Sequence, residues 1–316
     1  MTTIRTLLTA GLIAAAVSAP AAADSFYMVV NSGSKYVMLF NKDTGAVVND
    51  QWIDLFNATG TPGTIKDAIQ VLNEIWVADS TAGSIYRFKA DQANPIYIGT
   101  YTGLPGVRGL AFDGQTIYAS AGGGSNYAGV YRLNRGGLVL SQFNTGMDSP
   151  FDVYAAGSEV WVSDFNNDDI ARFQPDGTYV ADLVPRATVA GLRKPEQITL
   201  NNGGNLLVAG FSLPIGVYVF DAVTGTQLNH YPVGAPRGVA QLGNGDYIFT
   251  DGVGLSQYNP TTNVTIRSYG GAASSSSQYI NLVDFDATGC PADFNGDGFL
   301  DFTDFDDFVG AFESGC

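Results

Sequence analysis

The chain has 316 residues, 45% of them apolar and 14% charged, which is enough to bury a sizeable core in one to three domains. Lys and Arg number 15 against 30 Asp and Glu, a net charge of −15 that repels nucleic acid and anionic membrane and argues against a DNA or RNA partner. The 39 glycines follow no collagen period and suit an all-β chain with many tight turns.

Met1 to Ala23 reads as a secretory signal peptide. Arg5 supplies the positive start, Leu7 to Val17 is an apolar run too short to span a bilayer, and Ala21-Ala22-Ala23 is a cleavage site before Asp24. No second apolar run of spanning length follows. The mature protein is therefore expected to be secreted or held at the cell surface, with no transmembrane segment.

From Tyr27 onward one paragraph of sequence recurs. Tyr27–Val30 leads to Val37–Phe40, Ile75–Asp79 to Ile85–Phe88, and Ile117–Ser120 to Val130–Leu133. Val160–Asp164 leads to Ile170–Phe173, Leu206–Ala209 to Val217–Phe220, and Tyr247–Thr250 to Leu255–Tyr258. Period-two patterning broken by Asp, Asn and Gly turns makes each a pair of antiparallel strands. Copies start about 41 to 48 residues apart, the period of a propeller blade.

A further strand precedes each pair, often just after Pro, where a missing N–H costs no ladder bond: Pro105–Phe112, Pro150–Tyr154, Pro195–Leu200 and Pro236–Leu242, with Ile65–Ile69 lacking the Pro. A fourth, outer strand follows, as at Ile96–Ile98, Leu138–Leu140 and Val264–Ile266. The first copy lacks its innermost strand, and Gln278–Phe285 is a first strand with nothing after it. Ring closure resolves both facts and predicts an all-β, six-bladed propeller over residues 24–285, expected to be monomeric. Gly270–Ser277, GGAASSSS, is expected to be a flexible connection into the closing strand.

The blades resemble the NHL- and YncE-like group of bacterial propellers over about residues 25 to 285. The likeness rests on P-x-[G/D/Q]-[I/V/L], then [I/V]-[W/Y]-[V/A]-[A/S]-D, then [I/V]-x-R-F. It implies a fold and says little about chemistry.

Residues 286–316 differ in kind. From Cys290 to Cys316 there are seven acidic residues and no basic one. Asp293, Asn295 and Asp297 fall at EF-hand loop positions 1, 3 and 5, Gly298 at the turn, Phe299 at the carbonyl position, Asp301 at position 9 and Asp304 at position 12. Phe305, Phe308, Val309 and Phe312 then predict an amphipathic exit helix. Asp at position 12 resembles dockerins, and the segment is most similar to the short C-terminal modules of secreted bacterial proteins that end in Gly-Cys. The resemblance implies Ca²⁺ held by Asp293, Asn295, Asp297, Asp301 and Asp304, and a tether to an extracellular protein or surface polymer. A full dockerin carries two such loops and this chain has one. Cys290 and Cys316 are the only cysteines. In an exported protein they are expected to pair, stapling a module too small to build its own core; a free terminal Cys for attachment is the alternative.

For an active site the chain offers little. It has one histidine, His230, too few for a triad or a His-rich metal site, and it is expected to be an ordinary outer-strand or loop residue. Aligning the inner strands puts Lys66, Arg108, Phe151, Glu196 and Arg237 in one column, and Asp67, Gly109, Asp152, Gln197 and Gly238 in the next. Where these strands converge, the cations could take an anion and Asp67 with Asp152 could hold a cation. A structural ring of ion pairs is the plainer expectation. Trp76, Tyr118 and Trp161 share a repeat position and are expected between blades. The sequence therefore favours a secreted, Ca²⁺-binding recognition or scaffold propeller with no catalytic residue assigned. The alternative is a propeller lactonase, lyase or glycoside-active hydrolase carrying the same anchor; convergence of Asp67, Asp152 and Glu196 on a metal would favour it.

Overall fold

The computed structural model describes residues 25–122, 127–186, 191–251, 254–273, 275–285 and 302–313. Six four-stranded antiparallel sheets form a closed propeller. The inner strands are Ser277–Asp284 in blade 1, Ile65–Val71 in blade 2, Val107–Phe112 in blade 3, Pro150–Ala156 in blade 4, Pro195–Leu200 in blade 5 and Val239–Gln241 in blade 6. Blade 1 joins both ends of the propeller, because Ser277–Asp284 pairs with Ser25–Asn31, Val29 standing opposite Ile280. The expected ring closure is thus observed.

Both faces of a blade are buried, so its middle strands read as unbroken apolar runs. Alternation then decides which neighbour each side chain meets. In Glu74–Asp79, Ile75 and Val77 pack toward blade 1, whereas Trp76 and Ala78 pack toward blade 3. The described residues form six apolar clusters, one per blade interface. Trp76, Tyr118 and Trp161 lie in these layers, as their shared repeat position predicts. The Arg of the [I/V]-x-R-F motif also finds its reason. In blade 4, Arg172 Nε donates to Glu159 Oε2 at 2.7 Å, and Trp161 Nε1 donates to the same oxygen at 3.1 Å. Blade 2 repeats the trio with Arg87, Glu74 and Trp76.

The serine-rich connection is tied down at its described residues. Asn31 Nδ2 donates to the carbonyls of Ala272 and Ser275, each at 2.5 Å, and Ala273 is buried. A five-residue helix at Leu55–Thr59, capped by Asp54 accepting from the Asn57 N–H, was not foreseen. His230 lies in the outer strand Gln227–Tyr231, stacked 4.2 Å from the Tyr218 ring. The exit helix is present as Phe302–Glu313. The signal peptide, Cys290, Cys316, Asp293, Asn295, Asp297, Phe299 and Asp301 lie outside the described residues, as does the side chain of Asp304. No helix among the described residues is long and apolar enough to cross a membrane.

Candidate functional site: the cationic mouth

Five of the six inner strands share one irregularity that builds the site. In blade 2, Ile65 pairs with Asp79 and Asp67 with Ala78, so Lys66 is an extra residue bulged out of the ladder. The same skip falls on Phe151 in blade 4, on Arg108-Gly109 in blade 3, on Glu196-Gln197 in blade 5 and on Gln278-Tyr279 in blade 1. A bulge re-aims its side chain. In these blades it turns one residue into the channel mouth and sends the next deeper.

The outer layer is a cluster of cations on aromatic rings. Arg108 lies 3.9 Å and Lys66 Nζ 5.8 Å from the Phe151 centroid. Arg237 lies 4.5 Å over Phe211, and Lys194 Nζ 4.3 Å over Phe165. Phe151 and Phe165 stack at 4.1 Å. Such contacts hold a cation without neutralising it. Glu196 is the carboxylate within the cluster. Arg237 Nη1 donates to its Oε1 at 2.6 Å, while Lys66 Nζ donates to Gln278 Oε1 at 2.9 Å and stands 4.0 Å from Glu196 Oε2. Lys66, Arg108, Arg237 and Lys194 thus gather at one mouth of a chain of net charge −15, with Glu196 and Asp164 the carboxylates that act on Arg108. Burial brings the Lys66 ammonium down to about 8, with Glu196 opposing that shift. Burial also raises the Glu196 carboxyl, and Lys66 and Arg237 pull it back.

Lys66, Arg108, Phe151, Glu196 and Arg237 therefore meet as aligned. Asp67 and Asp152 do not join them. Each ties one inner strand to the next. Asp67 Oδ1 accepts from Ala68 N–H at 2.8 Å and Asn281 Nδ2 at 2.6 Å, and its Oδ2 accepts from Leu110 N–H at 2.7 Å. Asp152 accepts from Val153 and Ile198 N–H, both at 2.8 Å. Gln197 Oε1 accepts from Val239 and Ile280 N–H, both at 3.0 Å. Hydroxyls complete the circuit: Ser120 to the Phe151 carbonyl at 2.8 Å, Ser163 to that of Glu196 at 2.7 Å and Thr250 to that of Gln278 at 2.7 Å. Every blade interface carries such a latch, and Tyr279 crosses the channel to the Phe151 carbonyl at 3.3 Å. Burial pushes Asp67 up to about 7 and Asp152 well above the carboxylate range, against the N–H donors that favour their ionised forms. With those oxygens engaged by N–H groups, Asp67, Asp152 and Glu196 do not converge on a shared cation. Among the described residues no trio of His, Cys, Asp or Glu is so arranged.

Phe165, Phe211 and Lys194 were missed from sequence. Phe165 and Phe211 each directly follow a second strand, Glu159–Asp164 and Leu206–Gly210, so the repeat alignment held the signal. Their N–H groups donate to the Ser149 carbonyl at 2.9 Å and the Lys194 carbonyl at 3.1 Å, fixing the rings over the mouth.

Cavities among the described residues lie elsewhere. Below the latches, a funnel of about 390 Å³ opens on the opposite face, lined by Phe112, Tyr154, Leu200 and Leu282. In blade 4, a cavity of about 230 Å³ is lined by Asp164, Asp169 and Asp182. Burial, then Asp164 and Asp182, push Asp169 up to about 7. Between the ordinary carboxylate range and pH 7, the folded state keeps a proton that the unfolded chain releases, so this group's stabilising contribution is lost as pH rises through that window. Asp169→Asn should raise stability at pH 8 by roughly 1–2 kcal/mol after solvent screening, and change it little at pH 4. Melting temperatures at the two pH values check this; equal effects at both would contradict it.

No family model matches the chain, and no curated protein does. Solved structures do. A chain of the nidogen/laminin complex is 14% identical with a TM-score of 0.64, covering 82% of this chain and 98% of that one. A Bacteroides fragilis protein assigned as a 6-phosphogluconolactonase is 13% identical at a TM-score of 0.56, covering 82% and 98%. Virginiamycin B lyase from Staphylococcus aureus is 15% identical at 0.53, covering 79% and 86%. At such identities the likeness is one of fold, and the fold these structures share with this chain is the β-propeller, closed here from six blades.

Proposed function

We propose that this is an exported recognition propeller whose cationic, phenylalanine-backed mouth captures an anionic ligand, and whose C-terminal dockerin-like loop binds Ca²⁺ and tethers it outside the cell. The observation that carries the first half is the gathering of Lys66, Arg108, Lys194 and Arg237 over Phe151, Phe165 and Phe211, with Glu196 the carboxylate paired to Arg237. A site of one charge sign on an oppositely charged surface concentrates ligands of the other sign. The second half rests on the ligand spacing of Asp293, Asn295, Asp297, Asp301 and Asp304 and on the exit helix that follows. Lactonase and lyase propellers share the fold, yet Asp67 and Asp152 serve as latches here, so the binding reading stands ahead of the enzymatic one.

The test uses residues 24–316 and polygalacturonate as a model polyanion, with binding followed by calorimetry. Binding should weaken with salt and fall as pH rises through about 8, where Lys66 loses its proton. Arg108→Gln and Lys194→Gln should each weaken it about tenfold, the scale of one charge-assisted contact. Unchanged affinity in both variants would place the polyanion elsewhere. For the tether, Asp293→Ala or Asp304→Ala should abolish Ca²⁺ binding; undiminished affinity in either removes the loop assignment.

A further inference from the structure

Glu196 sits at the cationic mouth, paired with Arg237. Its side chain is fully buried, and its two oxygens fare differently. Oε1 accepts from Arg237, whereas Oε2 has no hydrogen-bond donor. Lys66 Nζ stands 4.0 Å from Oε2 and is committed to Gln278 Oε1. A buried carboxylate oxygen without a donor is rare in folded proteins and calls for a partner. That partner belongs at the mouth, because Glu196 is gripped there between Arg237 and Lys66, and the flexible Lys66 stem can shift to admit it.

The surroundings narrow the partner's chemistry. Lys66, Arg108 and Arg237 crowd Glu196, so an incoming ammonium would be repelled and a neutral hydroxyl would not. Arg237 engages Glu196 only through Nη1 among the described residues, which leaves the other edge of the guanidinium for a carboxylate. Both features meet at one side chain, so hydroxyl and carboxylate must sit close together on the same ligand.

Resting on that anion reading, we infer that the mouth recognises a hydroxylated carboxylate of the sugar-acid type, its carboxylate on Arg237 and Arg108 and a neighbouring hydroxyl donating to Glu196 Oε2. The decisive comparison is between ligands and needs no variant. Residues 24–316 are titrated with D-galacturonate, with cyclohexanecarboxylate, which keeps the charge and ring but has no hydroxyl, and with neutral methyl galactoside. Galacturonate should bind at least tenfold tighter than cyclohexanecarboxylate, with methyl galactoside weakest, and Glu196→Gln should shrink the galacturonate preference. Equal binding of the two acids overturns the hydroxyl inference and leaves the anion reading standing. Binding of neither acid overturns both.

Discussion

A chain ending at Ser276 is expected to fail to fold as a monomer, while one ending at Phe285 keeps a melting temperature within a few degrees of the full chain. Ser277–Asp284 is the inner strand of blade 1, and it buries Tyr279, Ile280 and Val283 almost completely. Losing three such side chains costs about 1.5–3 kcal/mol each. The latches of Thr250 on Gln278, Gln197 on Ile280 and Asn281 on Asp67 go with them, at about 1 kcal/mol each. Together these match the whole net stability of a typical domain, about 5–15 kcal/mol. Ser25–Asn31 would also become an open edge, which invites aggregation. Circular dichroism melting and gel filtration of the two truncations check this. A cooperative, monomeric transition from the chain ending at Ser276 would contradict the closure.

The second large effect is at the latch between blades 4 and 5. Asp152→Ala strands the buried N–H groups of Val153 and Ile198, at about 1–3 kcal/mol apiece. Gly109 guards the same carboxylate from blade 3: a Cβ there would lie 2.3 Å from Asp152 Oδ1 and 2.7 Å from Asp152 Cα. Gly109→Ala should therefore cost about 1–3 kcal/mol by overpacking. In the double variant the contact with Oδ1 is gone, so the combined loss should be smaller than the sum. Denaturant unfolding of the four proteins measures the coupling; strict additivity would mean that Gly109 and Asp152 do not share that space.

The blade count and the closure were legible because both follow from pattern alone. Alternation, turn residues and the orphan strand at Gln278–Phe285 fix how many units exist and where the ring is sealed. The column Lys66, Arg108, Phe151, Glu196 and Arg237 was legible for the same reason. The depth of each side chain was not. Lys66 and Asp67 are neighbours, yet one reaches the mouth and the other clamps Leu110, because a bulge at Lys66 shifts the register between them. Nothing in the identity of a Lys announces a bulge. Asp67 and Asp152 as cation ligands, and as N–H acceptors between strands, look alike in sequence, since both uses call for a buried carboxylate beside a backbone. The rings of Phe165 and Phe211 come from loops, whose approach to the mouth depends on tertiary packing. Their positions after the second strand recur in only two blades, which made the repeat signal faint.

Anion capture at the mouth is tested most directly by the crystal structure of residues 24–316 soaked in D-galacturonate. The carboxylate should lie about 3 Å from the guanidinium of Arg108 or Arg237, on the face carrying Phe151, Phe165 and Phe211. Ligand found instead in the funnel beside Tyr154 and Leu282, with the cationic mouth unoccupied, would contradict anion capture there.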